Sequence, residues 1–415
     1  MSIAGTLQDS VNIRYVFTIS GTPTTVNGAD DNSNTLAYTA GQADVYLNGV
    51  KQVVGTDVTA TSGSSVVFAS ALAAGDVVEV VAFDTFQAAA INADNITSGT
   101  LSNDRLENPG RRNLIINGDM RIAQRGTSAD GTSAYLLDRF KKQVGGTPAN
   151  GTISQDTDTP DGFQNSQKAT FSGSATFFQT GQQIEFNNFS HLLGESVTVS
   201  VYYKSDVDIT LRIRHNTTTT DGTCLFGGAG SSELSDKTLS ASASWTRATH
   251  TFTINASSVA ISVEFGTGAL VSGDDIWITG VQLEAGSTAS DFEHLNITEQ
   301  IQLCERYFNK SYALSVAPGT ANTIEGSIAI RNGDFTDNNS PFWHVSFPTR
   351  MRTEPTVTTF DYAGNSGKIN GPSNASVTGT AYQIDERGFN ILNSSGSSVA
   401  KGDYYCNYKA SAELW

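Results

Sequence analysis

Residues 197–213 read VTVSVYYKSDVDITLRI. Val197, Val199, Val201 and Tyr203 fall on one side of an extended chain, and this period of two is the pattern of a half-buried β-strand. Ile209, Leu211 and Ile213 repeat it after an acidic interval, 206–208, that supplies a turn. Working outward, 246–254, 259–265 and 276–283 carry the same kind of pattern, and helical periodicity is scarce from 113 to 295. Many antiparallel strands in one stretch predict a jelly-roll-like sandwich. Trp245 and Trp277 lie in its strands and are read as core, where large aromatics are usually found.

On the N-terminal side, residues 1–86 read as a module of β-hairpins. Val45 and Leu47 alternate with Tyr46 and Asn48, and Asn48-Gly49 is a strong signal for a two-residue turn. A second hairpin is expected from 65–68 and 77–83 around Ala74-Gly75-Asp76, with Val78, Val80 and Ala82 on one face. Between 87 and 112 the apolar residues Ile91, Ile96, Leu101 and Leu106 recur at intervals of five. Neither helix nor strand has that period. One chain cannot bury such a series, whereas three copies around a threefold axis can place each layer against its mates, with Gly99 allowing a turn. A solvated linker is the alternative, but it gives no reason for regularly spaced aliphatics.

On the C-terminal side a helix is expected at 296–310. Asn296 and Glu299 have capping-box spacing, and Ile297, Ile301, Cys304 and Phe308 form a stripe. The stripe suits docking on its own domain or packing against copies of itself. Strand patterns at 324–330, 343–347, 357–360, 388–392 and 404–409 then predict a second, smaller β-sandwich across 311–415. The expected fold class is therefore all-β, with several β-sandwich or jelly-roll modules in series, joined by an extended trimerising segment at 87–112 and one short helix.

The 415 residues suit about three domains. Charged residues are only 16% of the chain, so its surfaces must be largely neutral and polar. The 41 acids against 25 bases give a formal charge of −16, which disfavours nucleic acid and anionic lipid. No long apolar stretch predicts membrane insertion, and residues 1–9 lack the pattern of a secretory signal, so synthesis in the cytoplasm of the producing cell is expected. Cys224, Cys304 and Cys406 are scattered and read as small buried hydrophobes.

Catalytic signatures are absent from the sequence. There is no Gly-x-Ser-x-Gly elbow, and His191, His215, His250, His294 and His344 stand apart without metal-ligand spacing. Gly367-Lys368 is followed by Ile369, with Tyr362 where a phosphate loop needs glycine. The run 30–34 opens like a calcium loop, but Thr35 and Gly41 replace its glycine and glutamate. Asp156 with Asp158, and Asp274 with Asp275, are carboxylate pairs of the type a glycan hydrolase uses, yet both lie in turn-forming stretches. The expectation is a non-enzymatic protein.

A sugar-binding site needs an aromatic plane beside polar groups. Trp343 alternates in phase with Val345 and Phe347 and reads as core, leaving His344 on the other face. Tyr404, Cys406 and Tyr408 alternate with Tyr405, Asn407 and Lys409, and one of these faces must be buried. His344, Tyr405, Asn407 and Lys409 are the candidate ligand contacts.

Several stretches resemble bacteriophage tail-fibre and receptor-binding proteins. Residues 38–83, YTAGQADVYLNGVKQVVGTDVTATSGSSVVFASALAAGDVVEVVAF, are similar to an N-terminal module of fibres from marine and cyanobacterial phages, and 91–106, INADNITSGTLSNDRL, resembles the motif joining their globular parts. NLIINGDMRIAQRGTS (113–128), YLLDRF (135–140) and VQLEAGSTASDFEH (281–294) resemble the ends of a lectin-like jelly-roll domain; QLCERYF (302–308) and SAEL (411–414) resemble the distal domain after it. The resemblance implies a homotrimeric virion protein, attached to tail proteins through its N-terminal region, that binds host surface polysaccharide or lipopolysaccharide. It allows for a structural calcium in the middle sandwich and implies no other cofactor. Alternatives within the same resemblance are a fibre with glycan depolymerase activity and an architectural head fibre or tail adaptor.

Overall fold

The computed structural model describes residues 12–83, 111–130, 133–147, 150–332, 342–393 and 402–414. The chain divides into two compact units, Met1–Glu107 and Asn108–Trp415. Ile91, Ile96, Leu101 and Leu106 lie outside the described residues.

The first unit contains β1 (Asn12–Thr18), β2 (Thr25–Asn27), β3 (Ala43–Leu47), β4 (Val50–Gln52), β5 (Val58–Thr59), β6 (Ser65–Phe68) and β7 (Val77–Phe83). They form two sheets, β1-β7-β3-β4 and β2-β6-β5, around Tyr15, Phe17, Val45, Val66, Val78 and Val80. Asn48 and Gly49 turn the β3–β4 hairpin with φ of 48° and 83°, as an Asn-Gly turn requires. The second expected hairpin is corrected. β6 pairs with β2 and β5, whereas β7 pairs with β1 and β3. The chain crosses between the sheets because Val66 and Phe68 meet Val78 and Val80 across the core.

The second unit opens with twelve strands: β8 (Ser128–Asp130), β9 (Ser133–Tyr135), β10 (Lys141–Gly146), β11 (Gly151–Asp156), β12 (Ser166–Phe171), β13 (Ala175–Ile184), β14 (Ser196–Ser205), β15 (Ile209–Asn216), β16 (Ser231–Leu239), β17 (Ser242–Thr253), β18 (Ala260–Thr267) and β19 (Asp275–Ala285). A short helix, α1 (Phe186–Phe189), precedes β14. The strands make two six-stranded sheets, β16-β15-β18-β13-β10-β9 and β17-β14-β19-β12-β11-β8. β14 and β15 lie in opposite sheets, so Val197, Val199 and Val201 face Ile209, Leu211 and Ile213 across a common core. This is the all-β sandwich that residues 197–213 predict.

After it come α2 (Ile297–Glu305), β20 (Phe308–Lys310), β21 (Ile328–Asn332), β22 (Phe342–Ser346), β23 (Thr356–Phe360), β24 (Lys368–Asn370), β25 (Ser376–Tyr382), β26 (Gly388–Asn393) and β27 (Gly402–Ser411). The strands are ordered β20-β27-β24-β25-β26-β22, with β21 and β23 also on β27, so β27 is the shared strand, pairing with β20, β21, β23 and β24. The expected helix is shorter than its stripe. Asn296 caps it by accepting from the Thr298 N–H, but Phe308 has left the helix for a strand that pairs with β27. Ile324 is likewise outside its predicted strand, in a turn closed by the Ser327 N–H bonding to its carbonyl at 3.0 Å.

The two sandwiches of this unit are locked by buried charge. Glu413 accepts from both Arg139 and Arg125, the latter at 2.8 Å, and Arg125 also holds Asp138 at 2.8 Å. The Arg139 guanidinium lies 3.6 Å from the centre of the Tyr307 ring, and that of Arg125 lies 3.7 Å from the centre of Phe308. Tyr307 and Arg306 both reach Glu185 at the end of β13, at 2.8 and 2.6 Å. Around these charges Ile116, Ile122, Cys304, Tyr307 and Leu414 form a small core of their own. All three cysteines are free and buried, as the sequence suggests, and burial pushes the Cys224 and Cys406 thiols up to about 12.

Removing one member of a buried charge network leaves the others uncompensated. Glu413→Ala should destabilise the second unit by about 3–5 kcal/mol, whereas Arg350→Ala, which breaks an exposed pair with Glu386 in the same unit, should have little effect. Trp245, Trp277, Trp343 and Trp415 all lie in the second unit, so urea unfolding followed by tryptophan fluorescence reads its stability. Burial pushes the Asp138 carboxyl from 3.8 to about 6, against the pull of Arg125. A raised folded-state value means that protonation of Asp138 stabilises the fold below pH 3.8, and this contribution is lost as pH rises through about 6. The Asp138→Asn variant should lack that part of the decline when urea midpoints are compared between about pH 4 and 7.

Candidate functional site

The strand registers of the β17-β14-β19-β12-β11-β8 sheet decide which side chains face away from the core. Val197, Val199, Val201, Ile276 and Ile278 point inward, so Lys204 and Trp277, paired across β14 and β19, point outward. Trp277 is also paired with Lys168 on β12, and Lys168 with Ser154 on β11. On β17, Arg247 is opposite Tyr202; Trp245 lies where the register then shifts, and its indole reaches the same outer face, because it donates to the Asp158 carboxylate that also binds Lys204. Trp245, Lys204, Trp277, Lys168 and Ser154 thus form a row across the sheet. At roughly 4.8 Å per strand, the tryptophans stand about 10 Å apart at the backbone.

This corrects the assignment of Trp245 and Trp277 to the core; both are half-buried on the outer surface of the sandwich. The reason is parity: Trp277 lies between the inward residues Ile276 and Ile278, and adjacent residues of a strand take opposite faces.

The row is held by ion pairs and ring contacts. The Lys168 ammonium is 4.5 Å and the Lys204 ammonium 4.0 Å from the centre of the Trp277 ring. Lys168 is bound by Asp275 at 2.9 Å and Lys204 by Asp158. Asp158 also accepts the Trp245 indole N–H at 2.9 Å. Hydrogen bonds from Lys204 and then Trp245 hold its carboxyl below the usual carboxylate range, so it stays ionised. Asp156 and Asp274 serve turns instead, accepting the Asp158 and Val271 N–H groups at 2.8 Å. Among the described residues, the Trp277 Nε1–H and Asp275 Oδ1 are buried without a hydrogen-bond partner.

Beside the row the same face is roofed. Gly280, at φ +60°, is the extra residue of a bulge, because Ser200 is opposite Gln282 while Tyr202 is opposite Thr279. A Cβ there would lie 2.7 Å from the Phe163 ring and 2.8 Å from Tyr202. Phe163 fills that space and packs on Tyr202, Phe292 and His294 with ring centres 5.1 to 5.2 Å apart. Past the bulge Gln282 and Glu284 turn outward and are covered, Glu284 by Ser290 at 2.5 Å. The roof stops at the tryptophan row, which leaves the row half-open.

Other candidates hold less. A polar cleft of about 290 Å³ is lined by Arg112, Asn188, His191 and Glu284, but both Glu284 oxygens are taken by Ser290. In the last sandwich, Asn407 is corrected from an exposed contact to a buried one. It donates to the Thr323 carbonyl at 3.1 Å and accepts from Ser311 at 2.8 Å, because the chain after β20 covers that face of β27. Tyr405 is half-buried, with its hydroxyl on Asn374 at 2.6 Å. Lys409 is half-buried 5.7 Å from the Phe360 ring centre. His344 is exposed on β22, bonded to Asn390 at 3.1 Å, with three strands between it and β27 in the sheet order. The fold therefore does not gather these four side chains into one site. Trp343 is core, beside Val345 and Phe347, as its alternation suggests.

Among the described residues no three of the His, Cys, Asp and Glu side chains cluster as a cation site. No helix among them is long and apolar enough to cross a membrane.

No protein-family profile and no curated protein matches the sequence. Among solved structures, the chain is similar to the enzymatically active domain of tailspike protein 4 of bacteriophage CBA120, with 13% identity and a TM-score of 0.31 over 42% of this chain. It spans about a fifth of that protein, 21% of its length. A CBM4 carbohydrate-binding module is 15% identical, with a TM-score of 0.29, over 41% of this chain and 98% of the module. A CBM61 module in complex with β-1,4-galactotriose is 12% identical, with a TM-score of 0.28, over 42% of this chain and 99% of the module.

Proposed function

We propose that the chain is the trimeric tail fibre of a tailed phage, a structural virion protein that attaches to its host by binding cell-surface glycan along the Trp245–Lys204–Trp277–Lys168 row. The observation that carries the glycan reading is the row itself: indole rings and paired polar groups on one half-open face of a rigid sheet. Sugars present apolar C–H faces together with hydroxyls, and such a face offers aromatic surface with donors and acceptors beside it. The fibre and virion assignments rest on the sequence resemblance, and the threefold assembly on the five-residue spacing of the connector. Three shallow sites on one trimer would gain adsorption strength through avidity rather than tight single contacts.

Binding alone is proposed over cleavage because the sequence carries no catalytic signature. Asp158, held ionised by Lys204 and Trp245, is not placed to be the protonated acid that a glycosidase needs beside its second carboxylate. Incubation with host polysaccharide that releases no oligosaccharide agrees with binding alone.

Loss of one stacking ring costs about 0.5–1.5 kcal/mol, so Trp245→Ala should weaken glycan binding by about two- to twelvefold per site. Calorimetric titration with host surface polysaccharide, with tryptophan fluorescence as a check on folding, measures this. The intact chain should have the mass of a trimer in solution, and a monomeric mass contradicts the threefold connector.

A further inference from the structure

Given a glycan site at the Trp245 row, we propose that it selects uncharged over acidic glycans, and that Asp158 and Asp275 set this selectivity. The cations of the row are not free to meet an anion. Lys168 sits on Asp275 at 2.9 Å and Lys204 on Asp158, so the two lysines and the two carboxylates cancel pairwise. An incoming carboxylate or sulfate must displace an aspartate from its lysine and then stand beside the displaced charge. A third carboxylate, Asp206, is bonded through Oδ2 to the Asp275 N–H at 2.9 Å and adds to the repulsion. Arg247, opposite the outward-facing Tyr202, donates to the Ser290 carbonyl and has Asp291 at 4.0 Å. At long range the formal charge of −16 acts in the same direction.

The unsatisfied atoms of the row ask for the same ligand. Trp277 Nε1–H is a donor without an acceptor, and Asp275 Oδ1 is an acceptor without a donor. They belong to residues two apart on β19 and therefore lie on one face. A hydroxyl accepts and donates, so hydroxyls of one sugar satisfy both once the Lys168 and Lys204 ammonium groups over the Trp277 ring shift aside. A carboxylate or sulfate only accepts; it could answer Trp277 but would repel Asp275. The row thus carries negative selection against acidic glycans in its ion pairs and positive selection for hydroxyls in its open hydrogen bonds.

The test uses the full chain and a panel of neutral polysaccharides (glucan, mannan, galactan, xylan) beside carboxylated and sulfated ones (alginate, hyaluronate, dextran sulfate). The wild type should bind at least one neutral polymer and no acidic one. The double variant Asp158→Asn/Asp275→Asn releases both lysines and should gain at least about tenfold in affinity for an acidic polymer, about 1.4 kcal/mol. Adding Lys168→Ala and Lys204→Ala should abolish that gain. Each single Asp→Asn variant repeats the test with a smaller disturbance, and tryptophan fluorescence establishes folding. Wild-type preference for acidic polymers overturns the selectivity while leaving the glycan site standing. Folded aspartate variants that gain nothing overturn the assigned role of Asp158 and Asp275. Absence of binding to every polymer, neutral or acidic, overturns the glycan reading and the selectivity with it.

Discussion

The Glu413 carboxylate is the meeting point of the buried charges that join the two sandwiches of the second unit. It receives Arg139 and Arg125 from the first sandwich, while its own strand neighbourhood belongs to the last one. Burial of a guanidinium is tolerated only where charge and hydrogen bonds compensate it. Arg139 has both, from Glu413 and the Gln183 carbonyl, and the Tyr307 ring beneath it. Arg125, Arg139, Tyr307 and Glu413 come from AQRG, LDRF, ERYF and AEL, which lie within stretches that resemble phage fibres. Those motifs are therefore explained as a joint between sandwiches. They need carry no ligand chemistry to be specific in sequence.

The joint has a second consequence. With both sandwiches in one compact unit, the tryptophan face is carried by strands whose inner sides are fully packed. The Gly280 bulge then divides the face by reversing which residues of β19 point outward. On one side of it Gln282 and Glu284 are enclosed by 286–294, and on the other Trp277 and Asp275 remain half-open. A single glycine with φ +60° thus separates a roofed, structural surface from one able to meet a ligand.

Alternation read from the sequence located the strands of both units well, because period two leaves little freedom once one face is apolar. Pairing was less legible. The segments around Gly75 look like a hairpin locally, and so do β14 and β15, yet the partners lie in opposite sheets. A turn and two apolar faces fit either arrangement; what decides is which faces meet across the core, a long-range property. The helix erred for a related reason. Phe308 completes a helical stripe, but the backbone of 308–310 is taken by β27, and the strand ladder outweighs one more turn.

The candidate site was missed for a different reason, since its signal was present in the sequence. Trp277 stands between Ile276 and Ile278, and Trp245 shares parity with Arg247 and Thr249 rather than with Phe252. Alternation alone puts both indoles on the polar face. The opposite assignment came from letting the general tendency of tryptophan to be buried override the local period. Asn407 shows the converse limit, for parity put it on a polar face correctly and could not see that the chain after β20 would fold over that face. Alternation tells which side of a sheet a residue takes; only the tertiary fold tells whether that side is open. At Trp245 and Trp277 the face stays half-open because the roof, anchored on the Gly280 bulge through Phe163, ends before it reaches the row.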